Sequence, residues 1–160
     1  MSEIKKYMYL GKEYPLKATV DSSVKKATIT FDGEFFICKV PKPGEIDIAK
    51  ALLKFYKRAC RTVVNQRLRI YQPQIKIKYK DVTIENNDKR WGSCSSNRNL
   101  TFNWRLVIFP IEALDYVVVH ELCHLKHLNH DRSFWRLLGK ILPDYKNAMA
   151  IIGSKKTRDM

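Results

Sequence analysis

The chain has 160 residues and a formal net charge of +14 at pH 7, with 45% hydrophobic and 11% aromatic residues. This length suits one domain, and these fractions are typical of a globular chain rather than a disordered one. No apolar run approaches the roughly 18 to 20 residues that a membrane span needs, and the first residues lack the apolar segment of a signal peptide. The composition therefore predicts a cytoplasmic protein with no membrane association.

The positive charge is unevenly distributed, since more than half of the excess falls in residues 42–90. An excess of this size attracts polyanions such as nucleic acids or nucleotides. The four cysteines are Cys38, Cys60, Cys94 and Cys123, and none belongs to a CxxC pair. That spacing is typical of reduced thiols and argues against a disulfide framework or a cysteine zinc site.

The order of secondary-structure signals indicates an α+β fold, because strands precede a helix, strands return, and helices end the chain. Period-two alternation predicts strands at residues 7–10, 14–20, 27–31, 34–40, 75–79, 82–85 and 100–104. Asp32-Gly33 predicts a tight hairpin between the third and fourth strands, and residues 92–97 predict a loop. Helical periodicity predicts helices at 46–70, 110–127, 131–141 and 145–152.

All four histidines lie between residues 120 and 130, in the segment HELCHLKHLNH. His120 and His124 are four residues apart on the predicted helix, so their side chains lie on one face. Two imidazoles so placed can bind one zinc ion at about 2.0–2.1 Å. Glu121 lies beside them and can take a proton from water whose pKa zinc lowers toward about 7. This HExxH pattern predicts a zinc-dependent hydrolase.

A catalytic zinc ion needs a third protein ligand. His127 lies about 10.5 Å from His120 along a straight helix, which is too far for convergence, although it can orient a ligand. No glutamate follows Glu121 in the chain, which excludes a glutamate from a later helix. His130 can reach the ion if the chain reverses near Asn129, since asparagine tolerates the left-handed conformation. We therefore expect His130 to be the third ligand.

Three residues around the cluster have simpler interpretations. Asp115 and Asp131 can accept the second N–H of a ligating imidazole, but each can equally cap a helix or face solvent. Cys123 lies between the expected ligands and is predicted to be a small buried thiol rather than a ligand.

Several short segments together carry a family resemblance. They are Arg90-Trp91-Gly92-Ser93-Cys94-Ser95, Asn103-Trp104-Arg105-Leu106, the histidine segment, Phe134-Trp135 and Pro143-Asp144-Tyr145. Their succession resembles the YgjP-like metallopeptidase family, a group of small zincin-fold proteins related to SprT-like and Wss-type proteases. The resemblance is strong over about residues 70–146 and weak over the strand-rich start.

The resemblance implies a zincin-like fold in which a small antiparallel sheet packs against helices and the HExxH motif lies on the central active-site helix. It implies that His120, His124 and His130 are the zinc ligands and that Glu121 is the catalytic base. We expect one metallopeptidase-like domain over residues 1–160. Its parts are a strand-rich start (1–41), a basic helix (42–72), a zincin core (73–146) and a C-terminal helix and tail (147–160).

Candidates for substrate binding follow from the same motifs. They are Arg90, Trp91, Asn103 and Tyr145. In zincins an extended substrate pairs with an edge strand, and Asn103 lies on the strand expected at that wall. Tyr145 can donate a hydrogen bond to a tetrahedral oxyanion. For Trp91, burial in the core is the competing interpretation.

A basic stripe shares one face of the predicted helix 46–70. Its members are Lys50, Lys54, Lys57, Arg58 and Arg61. Such a face is usually solvated, but the local excess of positive charge makes it a candidate for contact with nucleic acid or nucleotides. No recognisable nucleic-acid-binding motif accompanies it.

Three functions remain open at this stage. The first is a zinc-dependent metallopeptidase that acts on a peptide or protein, with metal-bound water activated by Glu121. The second is a metal-dependent nucleoside triphosphate pyrophosphatase, an activity catalogued for one bacterial relative of the family, with the basic helix holding phosphates. The third is a nucleic-acid-associated protein in which zinc is structural, and it requires a closed coordination sphere.

Overall fold

The computed structural model describes residues 4–44 and 48–153. Its strands are β1 (Lys6–Tyr9), β2 (Lys12–Val20), β3 (Thr28–Phe31), β4 (Phe36–Val40), β5 (Asp81–Glu85), β6 (Gly92–Cys94) and β7 (Asn99–Asn103). Its helices are α1 (Ile48–Tyr71), α2 (Ile111–His124), α3 (Arg132–Ile141) and α4 (Tyr145–Gly153), with short 3-10 turns at Gln72–Gln74 and Trp104–Ile108. This order confirms the predicted α+β class.

The first sheet has the strand order β1-β2-β4-β3. The hairpin predicted at Asp32-Gly33 is present, because β3 and β4 pair antiparallel. The expectation of an antiparallel sheet is wrong for its central pair, since β2 and β4 run parallel. Residues 21–27 form a connection longer than a tight hairpin, so β3 lies away from β2 and β4 enters between them.

The second sheet has the order β5-β7-β6 and is also mixed. β5 and β7 are parallel, and β6 pairs antiparallel with β7 through the register of Ser93 opposite Thr101. The sequence predicted a loop at residues 92–97, and the first three of these form strand β6 instead. Glycine and serine have low strand propensity, so this strand depends on its pairing with β7. It leaves β6 as an edge strand beside α2.

The strand predicted at residues 75–79 is absent, although its alternation of buried and exposed side chains is real. Ile75 is 2% exposed and Ile77 is half-buried. Gln72 explains the missing strand, because its Nε2 donates to the carbonyls of Ile75 and Ile77 at 3.0 and 2.8 Å. A side chain therefore satisfies backbone acceptors that a neighbouring strand would otherwise pair.

Helix α1 connects the two halves of the core. Its apolar stripe includes Cys60, Val64 and Leu68, all fully buried in the larger apolar cluster around α2 and the second sheet. Near its start, Leu52 and Phe55 also pack against the smaller cluster of the first sheet. No helix within residues 4–44 and 48–153 is long and apolar enough to span a membrane.

Helix α2 lies at the centre of the larger cluster, since residues 113–119 are all buried. Pro110 precedes its first turn, where a missing N–H has no cost. Asp115 is the polar exception in this buried run. It accepts hydrogen bonds from Arg67 Nε and Nη2, each at 2.7 Å, and from the Tyr71 hydroxyl at 2.8 Å. This ion pair joins α2 to α1.

Candidate metal centre

Three histidines converge where α2 ends. His120 and His124 lie on the last turns of α2, and His130 lies in the segment that leads to α3. Asp131 ends this segment by accepting a hydrogen bond at 3.0 Å from the backbone N–H of Phe134, so it caps α3. The chain reversal before His130 does not use a left-handed Asn129. In the described part of the chain, the non-glycine residues with positive φ are Leu10 and Arg98.

The three Nε2 atoms form a nearly equilateral triangle. The distance is 3.3 Å between His124 and His120, 3.0 Å between His124 and His130, and 3.1 Å between His130 and His120. A tetrahedral ion bound at about 2.0–2.1 Å keeps its nitrogen ligands about 3.3–3.4 Å apart. The triangle is therefore close to the size that such an ion requires.

Hydrogen bonding among the imidazoles does not account for this triangle. A neutral imidazole nitrogen is either a donor or an acceptor, so three mutually adjacent Nε2 atoms leave at least one pair with the same role. Burial, reinforced by the neighbouring imidazoles, lowers the pKa of His120 to about 4. Burial likewise lowers the pKa of His124. These rings are therefore held in the neutral form that binds metals.

The second nitrogens of the rings have different environments. His124 Nδ1 lies 3.0 Å from the backbone carbonyl of His127, and a carbonyl only accepts, so Nδ1 carries the proton and Nε2 the lone pair. His120 Nδ1 is buried and has no hydrogen-bond partner among the described residues. Neither Asp115 nor Asp131 accepts a hydrogen bond from an imidazole, because Asp115 pairs with Arg67 and Asp131 caps α3. The His127 imidazole is outside the cluster.

Glu121 is 5% exposed, and burial raises the pKa of its carboxyl to about 8, with Arg90 opposing this shift. Its Oε2 lies against β6, because a Cβ built on Gly92 would be 3.1 Å from that oxygen. The same Cβ would be 3.1 Å from the Thr101 carbonyl oxygen and from Val117 Cγ1. The glycine therefore permits β6 to pack directly against the carboxyl group. Cys123 is fully buried, as predicted.

Aromatic rings pack against the cluster of three histidines. Phe134 is fully buried, and its ring centroid lies 4.9, 4.7 and 4.9 Å from those of His120, His124 and His130. Trp135 packs at 5.9 Å from the His130 ring. In the sequence, Phe134 and Trp135 contribute only to the family resemblance. Their positions four and five residues after His130 were the available signal.

The predicted substrate residues lie in different environments. Asn103 is fully buried, and its Nδ2 donates to the carbonyls of Asn87 and Arg90. The amide therefore holds the segment before β6 and is not accessible to a substrate. The expectation that Asn103 lines the substrate cleft is wrong in this structure. Arg90 is exposed and pairs with Glu85 at 3.0 Å. Trp91 is half-buried, with its ring 5.0 Å from that of Phe109 in a T-shaped contact.

Tyr145 and the basic stripe on α1 are the other two predicted groups, and neither belongs to the histidine cluster. Tyr145 is half-buried, with its ring stacked on Trp135 at 5.7 Å. The basic residues of the predicted stripe lie on α1 and include Lys50, Lys54, Lys57, Arg58 and Arg61. Arg61 donates to the carbonyl of Val82 on β5, and Lys26 lowers the pKa of Lys54. Two members of the stripe, Arg61 and Lys54, therefore lie near β5 and the loop before β3.

The comparison with protein-family models indicates a class, the metallopeptidases. The model of the YgjP-like metallopeptidase domain family matches residues 1–154. The chain therefore belongs to the YgjP-like metallopeptidase family, which confirms the resemblance found in the sequence. A family of this type supports a metallopeptidase function with peptides or proteins as substrates. A search of curated proteins finds no match.

One solved structure with a similar fold is described as the metallopeptidase zymogen of Pyrococcus abyssi abylysin. The similarity has a TM-score of 0.52 at 24% identity, and it covers 57% of this chain and 92% of the other. At this level of identity the likeness concerns the fold. It extends over nearly all of the smaller protein, so the present chain carries additional structure.

Proposed function

We propose that this protein is a zinc-dependent peptidase in which His120, His124 and His130 hold one metal ion and Glu121 is the general base. The observation that carries the proposal is the triangle of Nε2 atoms with sides of 3.0–3.3 Å. Neutral imidazole is a preferred zinc ligand, and three imidazoles with an open fourth position are typical of catalytic zinc.

When bound, zinc supplies Lewis acidity that polarises a carbonyl group and lowers the pKa of water toward about 7. The protein's own contribution is the movement of protons. The Glu121 carboxylate accepts a proton from the attacking water and delivers it to the nitrogen of the leaving amine as the peptide bond breaks. Burial raises the pKa of this carboxyl group, so its ionised form is a stronger base than an exposed carboxylate, and a cation bound nearby would favour that ionised form.

A purely structural zinc site is less consistent with the residues present. Structural zinc is almost always held by four protein ligands, commonly including cysteine thiolates. Among the described residues, the single group of histidine, cysteine or acidic side chains close enough to share an ion contains three members. All four cysteines are unpaired, and Cys123 is buried with its pKa raised to about 12 by burial. The cluster therefore favours a site with a free position.

The test compares wild type with E121Q, each loaded with zinc, on casein as the protein substrate. Glutamine has nearly the same shape as glutamate but cannot accept the proton, so we expect E121Q to retain zinc and lose at least about 100-fold in turnover. Zinc content is measured in parallel by mass spectrometry. Zinc-loaded wild type without casein cleavage, or E121Q with wild-type turnover, would contradict the proposal.

Nucleoside triphosphates are offered to the same preparations, because the pyrophosphatase alternative uses the same metal chemistry. Release of pyrophosphate without cleavage of casein would replace the peptidase assignment with the alternative. We expect peptide cleavage, since the chain belongs to the YgjP-like metallopeptidase family.

A further inference from the structure

His130 is the member of the histidine triangle that lies outside α2, in the segment between α2 and α3. It is exposed, whereas His120 and His124 are half-buried. Side chains on connecting segments are more mobile than those on packed helices. The orientation of the His130 ring therefore needs support from neighbouring side chains.

Hydrogen bonding does not provide that support within residues 4–44 and 48–153. A metal-binding histidine usually donates its second N–H to a carbonyl or carboxylate group, which fixes the ring. His124 has such a partner in the carbonyl of His127. The polar contacts of the His130 ring are those of Nε2 with His120 and His124.

Aromatic contacts are present instead: besides Phe134, whose ring lies 4.9 Å from the imidazole at an interplanar angle of 87°, Trp135 stacks against His130. The Trp135 ring lies 5.9 Å from the imidazole centroid at an interplanar angle of 30°. Tyr145 stacks on Trp135 at 5.7 Å and 24°. Trp135 therefore contacts both the segment before α3 and the first residue of α4. Ring pairs in this geometry are favourable contacts, so they favour one orientation of the imidazole.

Gly139 makes room for the Tyr145 ring. It lies four residues after Trp135 and therefore on the same face of α3. A Cβ built on Gly139 would be 3.3 Å from Cε1 of Tyr145, which is tighter than an ordinary contact. Glycine is a poor helix former, so its presence inside α3 is explained by the close approach of the Tyr145 ring.

We infer that Trp135, supported by Tyr145, is a positioning residue that holds the His130 imidazole in the orientation required for metal binding. This inference rests on the proposed function, because it takes His130 as a metal ligand. It also gives Tyr145 a role through its ring, which differs from the hydroxyl donor suggested by the sequence.

The test measures zinc affinity of the metal-free protein by competition with a chromophoric chelator. We expect W135L to bind zinc about 10- to 100-fold more weakly than wild type, the range seen when residues that orient a ligating histidine are removed. The matched control is W104L. Trp104 is also half-buried and stacks on a tyrosine, Tyr56, at 5.2 Å and 16°, but it does not contact the histidines. Its replacement should leave zinc affinity unchanged.

A second pair of variants keeps the test decisive if W135L fails to fold. Y145F retains the ring and should keep wild-type zinc affinity, whereas Y145L removes the ring and should weaken binding in the same direction as W135L. Thermal unfolding of each metal-free variant shows whether it is folded. Wild-type affinity in both W135L and Y145L, or in Y145L alone where W135L is unfolded, would overturn the inference. Failure of wild type itself to bind zinc would instead overturn the proposed function.

Discussion

Gly92 and Glu121 meet where β6 approaches α2, and we expect this contact to position the proposed general base. A methyl group at residue 92 would lie 3.1 Å from Glu121 Oε2 and equally close to the backbone oxygen of Thr101. The backbone oxygen belongs to the paired strand β7, so it cannot move without loss of sheet pairing. An added methyl group is therefore accommodated by shifts of β6 and of the two side chains it meets, Glu121 and Val117, so it displaces the carboxyl group.

We expect G92A to lower the free energy of unfolding by about 1–3 kcal/mol, the usual cost of overpacking. It should also reduce turnover while zinc content stays at the wild-type level, because Glu121 is displaced and the histidines are not. Urea unfolding and casein cleavage measure the two effects. G153A is the control, since a Cβ on Gly153 meets no atom within 4 Å. Equal turnover in G92A and wild type would show that the contact does not position Glu121.

The proximity of His120 and His124 could be predicted from the sequence, because residues four apart on a helix lie on the same face. The reversal that brings in His130 was also expected, although the left-handed conformation at Asn129 was not found. The contact of Glu121 with Gly92 could not be predicted, since it depends on β6, a strand without a sequence signal. The burial of Asn103 was missed because its partners are backbone carbonyls of another segment.

Helices α1 and α2 are joined by the ion pair of Arg67 and Asp115, whose side chains are 27% and 8% exposed. The pair is bidentate and has a further hydrogen bond from Tyr71, so the buried carboxylate is well compensated. Loss of Arg67 would leave this charge unpaired inside the core. The pair therefore contributes to the packing of the helix with the HExxH motif against α1.

We expect R67M to lower the free energy of unfolding by about 3 kcal/mol, because methionine keeps the apolar stem but removes the charge that compensates Asp115. R90M is the matched control. Arg90 pairs with Glu85 on the surface, at 53% exposure, and its loss should cost at most about 1 kcal/mol. Urea unfolding of the three proteins gives the comparison. Similar losses in R67M and R90M would contradict a special role for the buried pair.

The predicted elements agree with the structure where one strong local signal dominates, as in α1 and the hairpin at Asp32-Gly33. The predicted elements differ from the structure where a tertiary contact determines the local conformation or the strand pairing. The alternation at residues 75–79 is real, but Gln72 satisfies the carbonyls that a strand would pair. The parallel pairs in both sheets depend on which strand enters between two others, and no local pattern encodes that.

For the whole molecule, the charge of +14 and the metal centre are separate features. The basic stripe lies on α1, and the histidines lie at the end of α2 and before α3. Contact of the stripe with nucleic acid or nucleotides stays a prediction, as does a cytoplasmic location. The proposed peptidase function requires neither of them.

The central claim is that three imidazoles bind one zinc ion, and metal analysis of the purified protein tests it most directly. Wild type, H130A and H127A are compared by mass spectrometry after exposure to equimolar zinc and dialysis. We expect one zinc ion per chain in wild type and in H127A, which keeps the backbone carbonyl that faces His124, and loss of zinc in H130A. Wild type without bound transition metal, or H130A with a full complement, would contradict the account.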